Sequence, residues 1–228
     1  LLLIPLLADR VALVGRADRA TVARGARPGA DDVFVIGTEP TALEETLTIR
    51  GYEMEVTDTG GRYPRVRPTD RTRVYEDVPY LARYAPTRTV RLPRGYLITA
   101  RDPAIVNKIR EQGIVVERLV ATTSLRVETF SVTKLKGSEY SDQGHYTSTV
   151  EGTYATKEMA FPPGTYFVSM AQPLANVAAQ LLEPESPDGL VTWNFLDRYL
   201  AFQWIPQPME APVYRLHEAA NLVTDSLP

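Results

Sequence analysis

The chain has 228 residues, with 25 basic and 28 acidic side chains, two histidines and no cysteine, and its formal net charge is −3. This length suits one large domain or two small ones with a real hydrophobic core. The absence of cysteine excludes disulfides, thiol catalysis, iron–sulfur clusters and thiolate zinc sites. Because the whole chain has no surplus of positive charge, we expect no nucleic-acid partner.

The N-terminal region is predicted to form an amphipathic helix. The chain starts at Leu1 instead of a methionine, which favours a processed chain or an excised domain. The opening LLLIPLL has neither a basic leader nor a small-residue cleavage site, and no other apolar run approaches the roughly 18 residues of a membrane span. From Leu6 to about Arg24 the apolar residues follow helical spacing. Gly25 and the Pro28-Gly29 pair are predicted to end this helix.

The next region is predicted to form strands. The segment VFVIG at 33–37 suits a short strand, and TLTIRGYEMEV at 46–56 alternates apolar and polar residues before a DTGG turn. Prolines interrupt the pattern up to residue 94, which indicates edge strands and ordered loops. Residues 62–101 contain ten arginines and no lysine, against three acidic residues.

A repeated unit follows. YLITARDP at 96–103 and YFVSMAQP at 166–173 both predict a strand that leads into a helix, with a polar residue and a proline in its first turn. Alternating segments between the two repeats predict further strands. We therefore expect an α+β fold with a mixed or mainly antiparallel sheet, two strand–helix units that pack their helices on one face, and the N-terminal amphipathic helix.

The motifs of common catalytic centres are absent from the sequence. Neither His145 nor His217 belongs to a His-Glu-x-x-His or His-x-x-Glu motif of a zinc hydrolase. There is no Gly-x-Ser-x-Gly motif and no glycine-rich phosphate loop. We therefore predict no catalytic, cofactor-binding or metal-ligating residue in this chain.

The acidic loop LLEPESPDG contains Glu183, Glu185 and Asp188. Acid pairs that face each other across a cleft can hydrolyse glycosides, and carboxylate loops can bind calcium. The interpretation that we favour is that these acids cap the flanking helices and solvate the loop. Asp188 or Thr192 is then the predicted N-cap of a helix at 194–200.

The arginine-rich region contains candidate ligand contacts at Arg83, Tyr84, Arg88 and Arg91. Arginines can bind a carboxylate through two hydrogen bonds, and tyrosines among them can stack on sugars. The alternative is a surface of weak ion pairs. We favour this alternative because the shortage of lysine extends through the whole protein.

The segment at 164–200 resembles the C-terminal ancillary region of bacterial zinc carboxypeptidase-like proteins, in the carboxypeptidase-A-type metallopeptidase family. The resemblance is carried by a strand, a helix that begins at Gln-Pro, the loop Leu-Glu-Pro-Glu-Ser and the sequence Trp-Asn-Phe, in this order. The segments APTRTVRLPRGYLI, EQGIVVERL, RGYEMEV and PVYRL are similar to other parts of the same region. The resemblance extends over about residues 37–216.

The resemblance implies that the peptidase residues lie in a separate N-terminal catalytic domain, which would also hold the zinc. Residues 1–37 are then an N-terminal helix and linker and a candidate for the end of a preceding peptidase domain, and residues 38–228 are a β-rich α+β accessory domain. The resemblance further implies an extracellular or periplasmic location, the chain's own upstream peptidase domain as partner, and a role in stability or in the selection of peptide substrates. The alternative is an independent module that binds peptide or carbohydrate.

Overall fold

The computed structural model describes residues 3–61, 63–201 and 209–227. Contacts divide the chain into two compact units. One unit consists of Leu1–Gly37 and Arg88–Pro228, and the other is Thr38–Thr87. The assignment of residues 1–37 to the end of a preceding peptidase domain stays a prediction.

The predicted N-terminal helix is confirmed as α1 (Leu3–Ala26). It ends before the Pro28-Gly29 pair, but Gly25 lies inside the helix and does not stop it. A Cβ at Gly25 would lie 1.7 Å from the Met170 carbonyl oxygen, so only glycine allows the helix to approach this close. Within the described part of the chain, no helix is both long and apolar enough to cross a membrane.

The arginine-rich region forms a long hairpin and not the short, interrupted strands predicted. Strand β1 (Val33–Thr57) pairs with β2 (Arg65–Arg91) in a two-stranded sheet. Both strands contain prolines, among them Pro40 and Pro79. A two-stranded sheet tolerates them because each strand keeps one edge without a neighbouring strand, so a missing N–H there removes no ladder bond.

The remaining strands form an eight-stranded antiparallel sheet in the described part of the chain. The strand order is β10-β4-β7-β3-β9-β5-β6, and β8 pairs with β5. In chain order the elements are β3 (Gly95–Ile98), α2 (Pro103–Glu111), β4 (Glu117–Leu119), β5 (Thr123–Gly137), β6 (Ser148–Phe161), β7 (Tyr166–Ser169), α3 (Ala175–Leu182), α4 (Asp197–Leu200), β8 (Met209–Glu210), β9 (Val213–Leu216) and β10 (Thr224–Ser226).

The two repeats confirm the expected α+β arrangement. Their strands β3 and β7 are antiparallel neighbours. Tyr96 of β3 and Val168 of β7 belong to the same apolar cluster as Ile105 of α2 and Ala178 of α3, so the two helices cover one face of the sheet. Leu97, the neighbour of Tyr96 in β3, belongs to a second cluster on the opposite face, as the two-residue period of a strand requires.

The helix starts of the two repeats differ. Asp102 is the N-cap of α2, where its side chain accepts a hydrogen bond from the Ala104 N–H at 3.0 Å, and Pro103 follows as expected. Helix α3 begins later than predicted, with Leu174 at its N-cap and no side-chain cap bond. Gln172 is buried, and its side chain bonds to both the N–H and the carbonyl of Val115. Its amide is therefore used in tertiary contacts and not in capping.

Candidate functional site

A buried ionic cluster surrounds Arg215, whose side chain is 7% exposed on β9. Its Nε donates to Glu183 Oε1 at 2.9 Å and its Nη2 donates to Glu183 Oε2, which makes the pair bidentate. Its Nη1 donates to Glu128 Oε2 at 2.6 Å, and its guanidinium carbon lies 3.9 Å from the centre of the Tyr154 ring. We call this group the Arg215 cluster; its members are Tyr96, Glu128, Tyr154, Glu183, Arg215 and His217.

Glu183 follows α3 directly and is completely buried, so it does not solvate the loop as expected. Tyr96 donates its O–H to Glu183 Oε1 at 2.7 Å. Burial raises the pKa of Tyr96 well above its usual value, and the Glu183 charge adds to this, so the phenol remains a donor. Burial acts to lower the pKa of Arg215, but the charge and hydrogen bonds of Glu183 together with Tyr154 and Glu128 raise it by more, so the pKa is raised and the guanidinium stays charged.

Glu128 of β5 forms the outer side of the Arg215 cluster. Its Oε2 lies 3.3 Å from His217 Nε2 as well as within hydrogen-bond distance of Arg215. The hydrogen bond from His217, with further help from Arg215, lowers the pKa of Glu128 to about 2. His217 is therefore a partly buried partner of a carboxylate.

Glu185 is also buried, with a side chain that is only 4% exposed. It forms a close ion pair with Arg88, and Tyr154 donates its O–H to Glu185 Oε2 at 3.4 Å. Burial raises the pKa of Tyr154 above its ordinary value. Arg88 and Glu185, which were predicted as separate candidate ligand contacts, therefore form an ion pair with each other.

Asp188 is exposed and accepts a hydrogen bond from Trp193 Nε1. It caps no helix, since the predicted helix at 194–200 is the single turn α4 with Leu196 at its N-cap. The other predicted cap, Thr192, donates its hydroxyl to the Ser186 carbonyl at 2.7 Å. Glu183 is fully buried and paired with Arg215, so it does not face a cleft, and this counts against the hypothesis that the acids of this loop hydrolyse glycosides.

The other candidates of the arginine-rich region are exposed. Tyr84 is 66% exposed, and the Arg83 carbonyl accepts a hydrogen bond from Thr41. These two residues belong to the unit Thr38–Thr87, whereas Arg91 belongs to the other unit. The structure therefore assigns the four predicted residues to different environments, and their contact with a ligand stays a prediction.

A cleft of about 530 Å³ lies beside the acidic loop. Lys108 and Gln112 line it from α2 and the residue after its end, and Asp188 and Trp193 line it from the acidic loop and the segment that follows. His145 joins them from the loop between β5 and β6, with its ring centre 5.3 Å from that of Trp193. No local sequence pattern connects these side chains, which come from three separate segments of the chain.

Asn194 fixes several groups around this cleft. Its φ of 65° lies in the left-handed region, which asparagine tolerates better than most residues. Its Nδ2 donates to Ser148 Oγ and to Asp197 Oδ2, each at 2.8 Å, and its Oδ1 lies 2.6 Å from His145 Nε2. Since an amide oxygen only accepts, this contact makes Nε2 of His145 the donor.

The described residues do not fit a zinc centre. His145 contacts an asparagine and His217 contacts Glu128, so the two histidines serve different contacts. Over the described ranges, no three side chains of histidine, aspartate or glutamate come together in a way that could hold a metal ion. We derive no catalytic step through zinc in this chain.

Sequence reasoning missed the Arg215 cluster because its members come from distant parts of the chain. One signal was present, since the arginine of PVYRL stands in an otherwise apolar strand. A charged residue in a buried strand needs a partner, but the sequence does not say which of the 28 acidic residues provides it.

Comparison with known proteins relates part of the chain to carboxypeptidases. It is 32% identical over 123 residues to Carboxypeptidase 2 of Trichophyton rubrum, an alignment that covers 52% of this chain and 23% of that protein. It is 29% identical over 116 residues to Carboxypeptidase 2 of Trichophyton tonsurans, covering 49% of this chain and 22% of that protein. No family model and no solved structure matches the chain. The chain spans less than a quarter of these fungal relatives, and about half of it is related in sequence to carboxypeptidases.

Proposed function

We propose that this chain is a non-catalytic module of a carboxypeptidase-related protein that contributes stability or the selection of peptide substrates. The observation that carries the proposal is the similarity to Carboxypeptidase 2, which covers about half of this chain but less than a quarter of the relative. The sequence contains no His-x-x-Glu motif. The partner is then a peptidase domain upstream of this chain, which holds the zinc, and the parent protein is extracellular or periplasmic and related to bacterial enzymes of this type.

The Arg215 cluster supports a scaffolding role. Buried carboxylates are the groups that acid–base catalysis could use, but Glu183 is paired with Arg215 and Glu185 with Arg88. These pairs connect the end of α3 to β9 and to β2 within one unit. Removing one partner of a buried ion pair is strongly destabilising, so these two carboxylates are needed as partners within the fold, and their burial keeps them from a substrate.

The purified chain tests the proposal directly. We expect no stoichiometric zinc by elemental analysis after dialysis against a zinc-containing buffer, and no hydrolysis of a blocked dipeptide. An active zinc carboxypeptidase assayed under the same conditions is the positive control. One tightly bound zinc per chain, together with hydrolysis that a chelator abolishes, would overturn the proposal.

A second candidate is an independent peptide- or carbohydrate-binding module, which the exposure of Tyr84 next to Arg83 favours. Calorimetric titration of the chain with acidic peptides and with oligosaccharides tests it. Heat of binding that disappears in Tyr84→Ala supports this candidate. No heat with either group of ligands would count against it.

A further inference from the structure

The cleft beside the acidic loop has two walls that carry different polar groups. Lys108 and Gln112 are four residues apart at the end of α2, so they lie on the same helix face and both offer hydrogen-bond donors. Asp188, on the other wall, offers a carboxylate. One of its oxygens is bound to Trp193 Nε1, and the other has no partner in the part of the chain that the structure describes.

The rest of the lining is apolar. Leu181 of α3, Leu190, Trp193 and Phe195 line the cleft together with the polar groups. Trp193 and Phe195 are each partly exposed. Small-ligand sites typically combine such apolar walls with a few placed polar groups, and a volume of about 530 Å³ is within their usual range.

The backbone at Asn194 is in the left-handed region, which few residues other than glycine and asparagine adopt readily. Asn194 stands in the sequence between Trp193 and Phe195, the two aromatic residues of the lining, and its side chain also binds His145. Such backbone conformations persist where the surrounding contacts determine them, and they are concentrated at ligand sites. The side-chain contacts of Asn194 therefore connect His145, Ser148 and Asp197 beside this cleft.

We propose that this cleft binds an apolar peptide segment, with one aromatic or aliphatic side chain between Leu181, Trp193 and Phe195. The peptide carbonyls accept from Lys108 and Gln112, and a peptide N–H donates to Asp188. An oligosaccharide fits less well, because the apolar lining leaves most of its hydroxyl groups without partners. The inference deepens the proposed function, since it names what the module selects.

The existing contacts of Lys108 and Asp188 leave both side chains able to bind a peptide. Lys108 pairs with Glu111 at 2.7 Å, and its Nζ also lies 5.9 Å from the centre of the Phe195 ring. Both side chains of the ion pair are more than a third exposed, and such pairs are weak. Lys108 can therefore turn to a peptide carbonyl without leaving a buried charge unpaired. The free oxygen of Asp188 needs no rearrangement to accept from a peptide N–H.

The test uses the full chain and the probe acetyl-Ala-Phe-Ala-amide, which has no free carboxylate and is no carboxypeptidase substrate. We expect calorimetric binding that is about tenfold tighter than for acetyl-Ala-Ser-Ala-amide, because the phenyl ring is buried in the cleft. Lys108→Gln and Asp188→Asn should each weaken binding of the Phe peptide about threefold to tenfold. Asn keeps an acceptor for Trp193 Nε1, so the fold of the loop is retained.

Lys134→Gln is the matched control, since Lys134 also forms an exposed ion pair, with Glu151 at 2.7 Å, but does not line the cleft. It should leave binding unchanged. Equal affinity for the Phe and Ser peptides, tighter binding of cellotriose, or no binding of the Phe peptide at millimolar concentration would overturn the inference. The zinc and hydrolysis assays test the proposed function separately, so failure of one proposal is distinguishable from failure of the other.

Discussion

At the scale of single residues, Arg215 determines whether the buried carboxylate of Glu183 is paired. We expect Arg215→Met to lower the free energy of unfolding by about 3–5 kcal/mol, because it leaves Glu183 charged and uncompensated in the core. Arg126→Met, which removes an exposed pair with Glu218, should change it by less than about 1 kcal/mol. Urea denaturation measures both.

A second substitution separates the loss of charge pairing from the loss of packing. Adding Glu183→Gln to Arg215→Met removes the unpaired charge and keeps an acceptor for Tyr96, so we expect part of the stability to return. If the double variant is no more stable than Arg215→Met alone, the unpaired charge is not the cause of the loss.

Glu128 links the stability of the fold to pH. Its pKa in the folded chain is about 2, against an ordinary value of 4.5, chiefly because of the hydrogen bond from His217. A lowered folded-state pKa stabilises the fold above pH 4.5, and this contribution is lost as the pH falls from 4.5 towards 2. We expect a loss of about 1–2 kcal/mol over this range, reduced by solvent screening because Glu128 is partly exposed.

Glu128→Gln should reduce the dependence of the free energy of unfolding on pH between 4.5 and about 2. Urea denaturation at several pH values from neutral into this range measures it. Glu139→Gln serves as control, because the Glu139 side chain is 72% exposed. An unchanged acid slope in Glu128→Gln would contradict the assignment of this loss to Glu128.

At the scale of elements, the part of the hairpin formed by residues 38–87 contributes nothing to the two apolar clusters. No residue among those clusters belongs to Thr38–Thr87. We expect that replacing residues 38–87 by an Asn-Gly turn leaves the rest folded, with a melting temperature within about 5 °C of the full chain.

Circular dichroism melting and the dispersion of NMR signals measure this outcome. The excised segment 38–87 is the complementary sample, and we expect it to lack stable structure, because an isolated two-stranded hairpin is marginal in water. Loss of cooperative melting in the shortened chain would instead assign a structural role to the hairpin.

At the scale of the whole molecule, the elements whose formation depends on residues close in sequence could be predicted from the sequence. Helix α2, the strands β5 and β6, and the two repeats follow from local apolar spacing and from the cap at Asp102. The length of β1 and β2 could not be predicted from local patterns, because their prolines indicated short strands. Whether a strand can contain proline depends on whether one of its edges has no neighbouring strand, which only the tertiary fold shows.

The sites could not be predicted in the same way. Glu183 looks like a loop residue in the sequence, and its burial depends on Arg215 and Tyr96, which lie 32 and 87 residues away. The cleft also joins α2, the loop between β5 and β6, and the segment around Trp193. Side chains from distant segments meet only through the tertiary fold, and no local pattern carries that information.

The pairing of β3 with β7 has a consequence for the symmetry of the sheet. The repeats are offset by 70 residues, since Tyr96 corresponds to Tyr166 (166 − 96 = 70). Each residue of one repeat has a counterpart 70 positions away in the other, so the counterparts of Tyr96 and Val168 are Tyr166 and Ile98. Both of these pairs are present in the sheet. The residues of the pair Leu97 and Phe167 are each other's counterparts. A local twofold axis therefore passes between Leu97 and Phe167. The strands of the two repeats are related by this axis, but of the two equivalent tyrosines only Tyr96 is observed to bind Glu183.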